Sequence, residues 1–101
     1  MVKIVWTHNA YKDLNDIGNY IEEVSFPSRA SKVLDTLIDS TSILQQFPLL
    51  GRMVPEYQHP DIREIIRINF RIVYRIVNSS RIDILSVQYS AKGSIELDFE
   101  L

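Results

Sequence analysis

The feature that most constrains the fold is a single change in hydrophobic period along the chain. Up to about residue 47, apolar side chains recur every three or four positions, which is the spacing of one helix face. From about residue 62 to residue 89, apolar and polar side chains largely alternate, as they do in strands with one buried face. Helices and strands that are segregated in this way are typical of an α+β fold.

The first half of the chain predicts one short strand and two helices. Residues 2–6 are rich in β-forming side chains, and Thr7 then stands where a helix N-cap is expected. Pro27 suits the first turn of a second helix, because its missing N–H group costs nothing there. The apolar pattern of that helix continues to Phe47, and Pro48 is expected to end it. The two helices should form an antiparallel hairpin.

The second half predicts a loop followed by three paired strands. Residues 48–61 contain three prolines and a glycine, so we read them as a loop. Strands are expected at about 62–68, 70–77 and 81–89, joined by short turns into an antiparallel meander. The order is β-α-α-β-β-β, with the helix hairpin packed on one face of a small antiparallel sheet, and we expect one domain over residues 1–101. The segment SIELDFEL, residues 94–101, alternates apolar and acidic side chains and predicts either an extra edge strand or a cover for the arginine-rich face.

Composition excludes several classes of protein and site. The chain lacks cysteine, which removes disulfides and cysteine metal sites and fits the reducing cytoplasm. No long uncharged apolar run is present, so no transmembrane helix is expected. We predict neither a metal nor a cofactor. The net charge of −2 hides an uneven distribution, because residues 52–81 carry six arginines, no lysine and three acidic residues. Arginine without lysine favours planar, bidentate contacts to phosphate or carboxylate.

The arginines are the first candidates for a functional surface. In the stretch NFRIVYRIV, residues 69–77, the apolar side chains from Phe70 to Ile76 should pack under the helices, which leaves Arg71 and Arg75 on the open face. Arg63 and Arg67 are four residues apart and share one face of the preceding strand, so we expect the four arginines to form one basic surface. The alternative is that they only keep the sheet soluble. A fifth, Arg52, is predicted either to anchor the loop to Glu56 or Glu64 or to join this surface.

Four stretches taken in order resemble the RelE/ParE superfamily of bacterial toxins: VWTHNAYKDLNDIGNYI, FPLLGRMVPE, DIREI and FRIVYRIV. The resemblance extends from about residue 2 to residue 87 and is closer to ParE than to RelE. It implies the toxin of a type II toxin–antitoxin module, held inactive by a cognate antitoxin. ParE-like members poison DNA gyrase, whereas RelE-like members cut messenger RNA on the ribosome without a metal.

The resemblance also assigns roles to individual residues. Arg71 matches the arginine that RelE-like toxins use near the scissile phosphate, Arg63 lies near a second basic position, and Lys92 stands where an arginine is common. Gln88 or Tyr89 occupies the place of a frequent histidine, and neutral glutamine cannot act as a general acid or base. This departure and the pI of 5.6 favour gyrase over RNA as the target.

The remaining expectations concern partners. The aromatic residues Tyr11, Tyr20 and Phe26 are predicted either to anchor the antitoxin or to pack the helix hairpin together. Self-association into a homodimer and a non-toxic interaction protein of the same fold stay open as alternatives. Arg71 is expected to matter more for function than for stability, because it lies on the sheet face opposite the core residues.

Overall fold

The computed structural model of the protein describes residues 1–90. The elements follow the predicted order, with a short additional strand in the loop. They are β1 Lys3–Trp6, α1 His8–Val24, α2 Pro27–Ser40, β2 Arg52–Met53, β3 Ile62–Arg67, β4 Phe70–Asn78 and β5 Arg81–Tyr89. The expected tail strand at 94–101 lies outside the described residues.

The five strands form one sheet in the order β1-β5-β4-β3-β2. Strands β2 to β5 are antiparallel neighbours, whereas β1 pairs parallel with β5, with Lys3 opposite Arg81 and Trp6 opposite Ile84. The two helices pack on one face of this sheet, as the sequence predicted. The core between the layers contains helix residues such as Leu14 and Leu37 and strand residues such as Ile72, all buried.

Two side chains fix where α1 begins and how it lies on the sheet. The Thr7 hydroxyl accepts a hydrogen bond from the Ala10 N–H (3.2 Å) and donates one to the Ile84 carbonyl (2.8 Å). Asp13 then accepts a hydrogen bond from the Val87 N–H of β5 at 2.9 Å. The predicted N-cap is therefore confirmed, and it ties the helix to β5 as well as starting it.

Helix α2 ends earlier than the sequence predicted. It stops at Ser40, and a 3₁₀ turn over Ser42–Gln45 replaces the expected continuation to Phe47. The hydroxyls of Ser40, Thr41 and Ser42 each donate to a backbone carbonyl three residues earlier, at 2.7–2.8 Å. Such bonds compete with the regular helical pattern, which explains the early end.

Within residues 1–90, no helix combines the length and the apolar character needed to cross a membrane.

Candidate functional site

The sheet face turned away from the helices contains a buried carboxylate between two arginines. Glu64, in β3, has a side chain that is 0% exposed. Arg52 lies directly opposite it on β2 and donates from Nε to Glu64 Oε2 at 2.6 Å. Arg71 reaches it diagonally from β4 and donates from Nη1 to Glu64 Oε1 at 3.0 Å. Each carboxylate oxygen therefore accepts one hydrogen bond from a cation, which offsets the cost of burying the charge.

A second carboxylate lies on the outer side of the same arginine. Glu56, from the loop before β3, accepts from Arg71 at 2.9 Å and 3.4 Å in a two-pronged contact. This hydrogen bonding lowers the pKa of the Glu56 carboxyl. The bond to Glu56 likewise raises the pKa of the Arg71 guanidinium, although partial burial acts against it. Arg71 is only 20% exposed and is held between two acids.

These four side chains, Arg52, Glu56, Glu64 and Arg71, form what we call the ion cluster. They line an open cleft of about 390 Å³ together with Gln88 and Tyr89. Two arginines and two carboxylates cancel in formal charge, so the cleft does not present a net positive field. Gln88, directly opposite Arg71 in the ladder, adds a neutral amide. Within residues 1–90 no group of three or more histidine, cysteine or acidic side chains could hold a metal ion.

The expectation that Arg71 points into an open face is wrong. Val54, from the loop, and Val73, from β4, are both buried, so this part of the sheet face is not open to solvent. The loop also brings Glu56 onto Arg71. Period-two alternation gives the side of the sheet on which a residue lies, but it does not show what a preceding loop places over that side.

The prediction that four arginines form one basic surface is also wrong. Residues directly opposite each other in an antiparallel pair share a face, and Arg63 lies opposite Tyr74 while Arg67 lies opposite Phe70. Arg63 and Arg67 are thus on the helix side, and Arg71 is on the other. The strand pattern correctly predicted that Arg63 shares a face with Arg67, and Arg71 with Arg75. Only the register between the two strands shows that these pairs lie on opposite faces of the sheet.

The remaining arginines have different environments. Arg63 donates to the carbonyls of Pro60 and Gly51, both at 2.9 Å, and so supports the loop. Arg52 binds Glu64, so of the two alternatives drawn from the sequence the structure has the one in which Arg52 anchors the loop to a carboxylate. Arg67 and Arg75 are exposed. Lys92 lies outside the described residues.

The loop that carries the acid is itself fixed by Tyr74, a feature that the sequence pattern did not reveal. The buried Tyr74 hydroxyl donates to the Pro48 carbonyl at 2.7 Å and accepts from the Gly51 N–H at 2.9 Å. Burial raises the pKa of this hydroxyl. A Cβ atom at Gly51 would lie 2.6 Å from the Glu64 carbonyl oxygen and 2.8 Å from the Tyr74 ring, so only glycine fits this close approach.

The predicted antitoxin-binding aromatics lie on the helix side of the molecule. Tyr11, Tyr20 and Phe26 are each more than half exposed. Tyr11 contacts Trp6, with ring centroids 6.2 Å apart. Tyr20 lines a cleft with Phe70 and Tyr89, so strand residues that were not singled out for this role adjoin it. Their exposure leaves surface for a partner, and the assignment of that partner stays a prediction.

Comparison with known proteins gives a consistent result. Residues 4–92 match the family described as the ParE toxin of type II toxin–antitoxin system, parDE. Among solved structures, the chain is similar to one from the chromosomal ParDE toxin–antitoxin system of P. aeruginosa, with 25% identity and a TM-score of 0.74, over 89% of this chain and 97% of that one.

A second structure, from the RelBE2 toxin–antitoxin complex of Mycobacterium tuberculosis, shares the fold at 21% identity. Its TM-score is 0.62, over 87% of this chain and 96% of that one. No curated protein sequence matches the chain significantly.

Proposed function

This chain belongs to the ParE toxin family of type II toxin–antitoxin systems, and from that premise we propose that it inhibits DNA gyrase in the cytoplasm and is neutralised by a cognate antitoxin protein. The observation that carries the proposal is the family match over residues 4–92, which includes every helix and strand of the described structure apart from the first residue of β1. The ion cluster then favours a protein target over RNA.

The state of Arg71 argues against phosphate chemistry at this site. A phosphodiester that approached Arg71 would have to displace Glu56, and it would then face the buried negative charge of Glu64. Like charges at such short range oppose binding. The neutral Gln88 beside Arg71 offers no group that could take up or release a proton. The described residues therefore support a structural role for Arg71 better than a role in RNA cleavage.

The exposed arginines are the better candidates for contact with the target. The side chains of Arg67 and Arg75 make no hydrogen bond or ion pair within residues 1–90. Their guanidinium groups are free to form bidentate contacts with carboxylates of a protein partner. Of the five arginines first considered for the target surface, we propose that these two, which lie on opposite faces of the sheet, each contact the target and that Arg52, Arg63 and Arg71 support the loop.

A two-part assay tests the target. Purified protein is added to gyrase with relaxed plasmid, and separately to translating ribosomes with messenger RNA. We expect loss of supercoiling and intact RNA. Arg67→Ala and Arg75→Ala should each weaken gyrase inhibition by about 10-fold or more, the loss of a hydrogen bond to a charged group. Arg29→Ala, which removes an exposed arginine from α2, is the matched control. RNA cleaved at codon positions would overturn the proposal.

The antitoxin interface is tested separately. Tyr20→Ala should lower the affinity for the cognate antitoxin while leaving the melting temperature unchanged, because Tyr20 is 64% exposed. Tyr57→Ala is a suitable control, since Tyr57 is 57% exposed but lies in the loop beside Glu56. Equal loss of affinity in both variants would contradict an interface centred on Tyr20. Normal growth of a host that expresses the folded chain alone would argue against any toxic activity.

A further inference from the structure

An apolar patch lies on the segment that connects α2 to β2. Its members are four large apolar side chains that are about half exposed or more: Ile43, Phe47, Leu49 and Leu50, at 46%, 55%, 65% and 56%. We call these four residues the connector patch. It shares no residue with the ion cluster or with the cleft beside Tyr20, which is lined by Asp16, Ile17, Tyr20, Phe70 and Tyr89. Apolar surface concentrated in this way marks a site of protein contact, whereas single exposed residues do not.

Backbone hydrogen bonds bring three members of the patch together. The Phe47 N–H donates to the Ile43 carbonyl, and the Leu50 N–H donates to the Phe47 carbonyl, both at 3.0 Å. Side chains three or four residues apart in such turns are neighbours, so Ile43, Phe47 and Leu50 form a row. Leu44 is turned the other way and is 0% exposed in the core. The segment thus buries one apolar side chain and leaves a row of others in solvent.

The patch is also fixed from below. The buried Tyr74 hydroxyl donates to the Pro48 carbonyl at 2.7 Å and accepts from the Gly51 N–H at 2.9 Å. Leu49 and Leu50 therefore lie between two anchored backbone positions. A surface that is already ordered loses little conformational freedom when it binds a partner, which favours association.

The patch and its surroundings in the chain are free of charge. Residues 40–51 contain no charged side chain, although charged residues make up 24% of the whole chain. The exposed neighbours Ser42 and Gln46 are polar and neutral. The first charge that follows, Arg52, is bound to Glu64 at 2.6 Å. A surface of this kind offers nothing to a charged partner, which is recognised by complementary charge.

The absence of charge suits one partner in particular, a second copy of this chain. In a two-fold symmetric dimer, residues near the axis face their own copies, so any charge there meets a like charge. Like charges placed opposite each other oppose association. The uncharged connector patch avoids this repulsion and is complementary to itself.

The size of the patch matches a small specific interface. A large apolar side chain has about 200 Å² of surface, so four of them at about half exposure leave about 400 Å² in water. Two copies in contact bury about 800 Å² of apolar surface, and a rim of ordinary polarity brings the whole interface to about 1,300 Å². Specific interfaces of standard size bury about 1,200–2,000 Å², so the patch is large enough for a dimer of modest affinity.

We propose that the connector patch is the contact surface of a symmetric homodimer of this chain. The apolar row of one protomer packs on the row of its partner, and the neutral rim closes the contact. The small area predicts a Kd of about 10–100 µM, because little binding energy remains after the cost of association. The proposal requires neither gyrase as the target nor Tyr20 as the antitoxin contact, so it succeeds or fails independently of both.

Sedimentation velocity of the full chain tests the dimer. Between about 5 and 500 µM the parent should pass from mainly monomer to mainly dimer. Phe47→Asp should weaken dimerisation by about 10-fold or more, because it places an unpaired charge in the contact. Phe26→Asp is the matched control: Phe26 is 54% exposed, against 55% for Phe47, and it precedes α2, where aspartate is a favoured cap. A parent that stays monomeric throughout this range, or equal weakening in both variants, would overturn the proposal.

A mixing experiment tests the symmetry and does not depend on Phe47. Leu50→Asp and Leu50→Lys should each be monomeric, because each introduced charge lies near its own copy across the two-fold axis. Both should keep the melting temperature of the parent, since Leu50 is 56% exposed. A one-to-one mixture should associate at least about 10-fold more tightly than either variant alone, because opposite charges then face each other.

Two results of this experiment would contradict the homodimer. A mixture that associates no better than its components would rule out a two-fold contact centred on the patch. Loss of gyrase inhibition in both Leu50 variants, with a parent that is monomeric, would assign the patch to the target in place of a second copy.

Discussion

Replacing Arg71 with alanine tests whether the ion cluster stabilises the fold. The substitution removes one of the two cations that bind the fully buried carboxylate of Glu64. Complete loss of partners would cost about 3–5 kcal/mol, but Arg52 remains at 2.6 Å from the same carboxylate. The appropriate scale is therefore one hydrogen bond to a charged group, about 1.5–3 kcal/mol.

Urea unfolding of the purified variant measures this change. With a denaturant slope of about 2 kcal/mol per molar urea, the midpoint should fall by about 1 M. Arg75→Ala is the matched control, because it removes an exposed arginine from the same strand and face and should change stability by less than about 0.5 kcal/mol. Equal midpoints for the two variants would refute the reasoning.

A double-mutant cycle separates the pair from other effects of the substitution. Glu64→Gln keeps the size of the side chain and removes its charge. In that background, Arg71→Ala should cost less than in the parent by about 1 kcal/mol or more, because the charged partner is already gone. A cost that is unchanged by Glu64→Gln would mean that Arg71 acts through packing or through Glu56.

Three further predictions concern the loop that completes the cluster. Tyr74→Phe should cost about 1–3 kcal/mol in urea unfolding, since the buried Gly51 N–H and the partly buried Pro48 carbonyl lose their hydrogen-bond partner. Because burial raises the Tyr74 pKa, the stability of the parent should be fully present below about pH 10 and fall above it, and this alkaline loss should be smaller in the variant. Gly51→Ala should lower the melting temperature through a clash worth about 1–3 kcal/mol. Glu56, whose pKa is lowered, stabilises the fold above about pH 4.5 and loses this effect in acid, so a Glu56→Gln variant should show a shallower decline of melting temperature between pH 5 and pH 3; parallel acid profiles would contradict this.

The local signals in the sequence predicted most of the elements. The N-cap at Thr7, the helix start at Pro27 and the three long strands were all predicted to within a residue or two, because each depends on neighbours in the chain. The early end of α2 was missed because its apolar spacing continues beyond the hydroxyl residues that end it. The parallel pairing of β1 with β5 was also missed, since it joins residues nearly eighty positions apart.

The candidate site was predicted less well, for a physical reason. A pattern of alternating residues identifies Arg71 and Glu64 as members of strands, but their contact depends on the register of β3 against β4. A bulge between Val73 and Tyr74 further shifts the pairing of β4 with β5. The burial of Glu64 also requires the 48–61 loop, whose course is set by the Tyr74 hydroxyl. Interactions of this kind join residues that are far apart in the chain, and the periodicity of a single segment does not reveal them.

The parallel pairing of β1 with β5 has a consequence for the order of events during synthesis. Lys3–Trp6 leaves the ribosome well before its hydrogen-bonding partners in Arg81–Tyr89 are translated. Forming such long-range pairs requires closing a long loop, which is slow. The sheet therefore cannot be completed before β5 has been synthesised, and translation that stops before β5 yields a product without its first strand in place. The complete sheet of this toxin-family protein thus forms only after β5 has been synthesised.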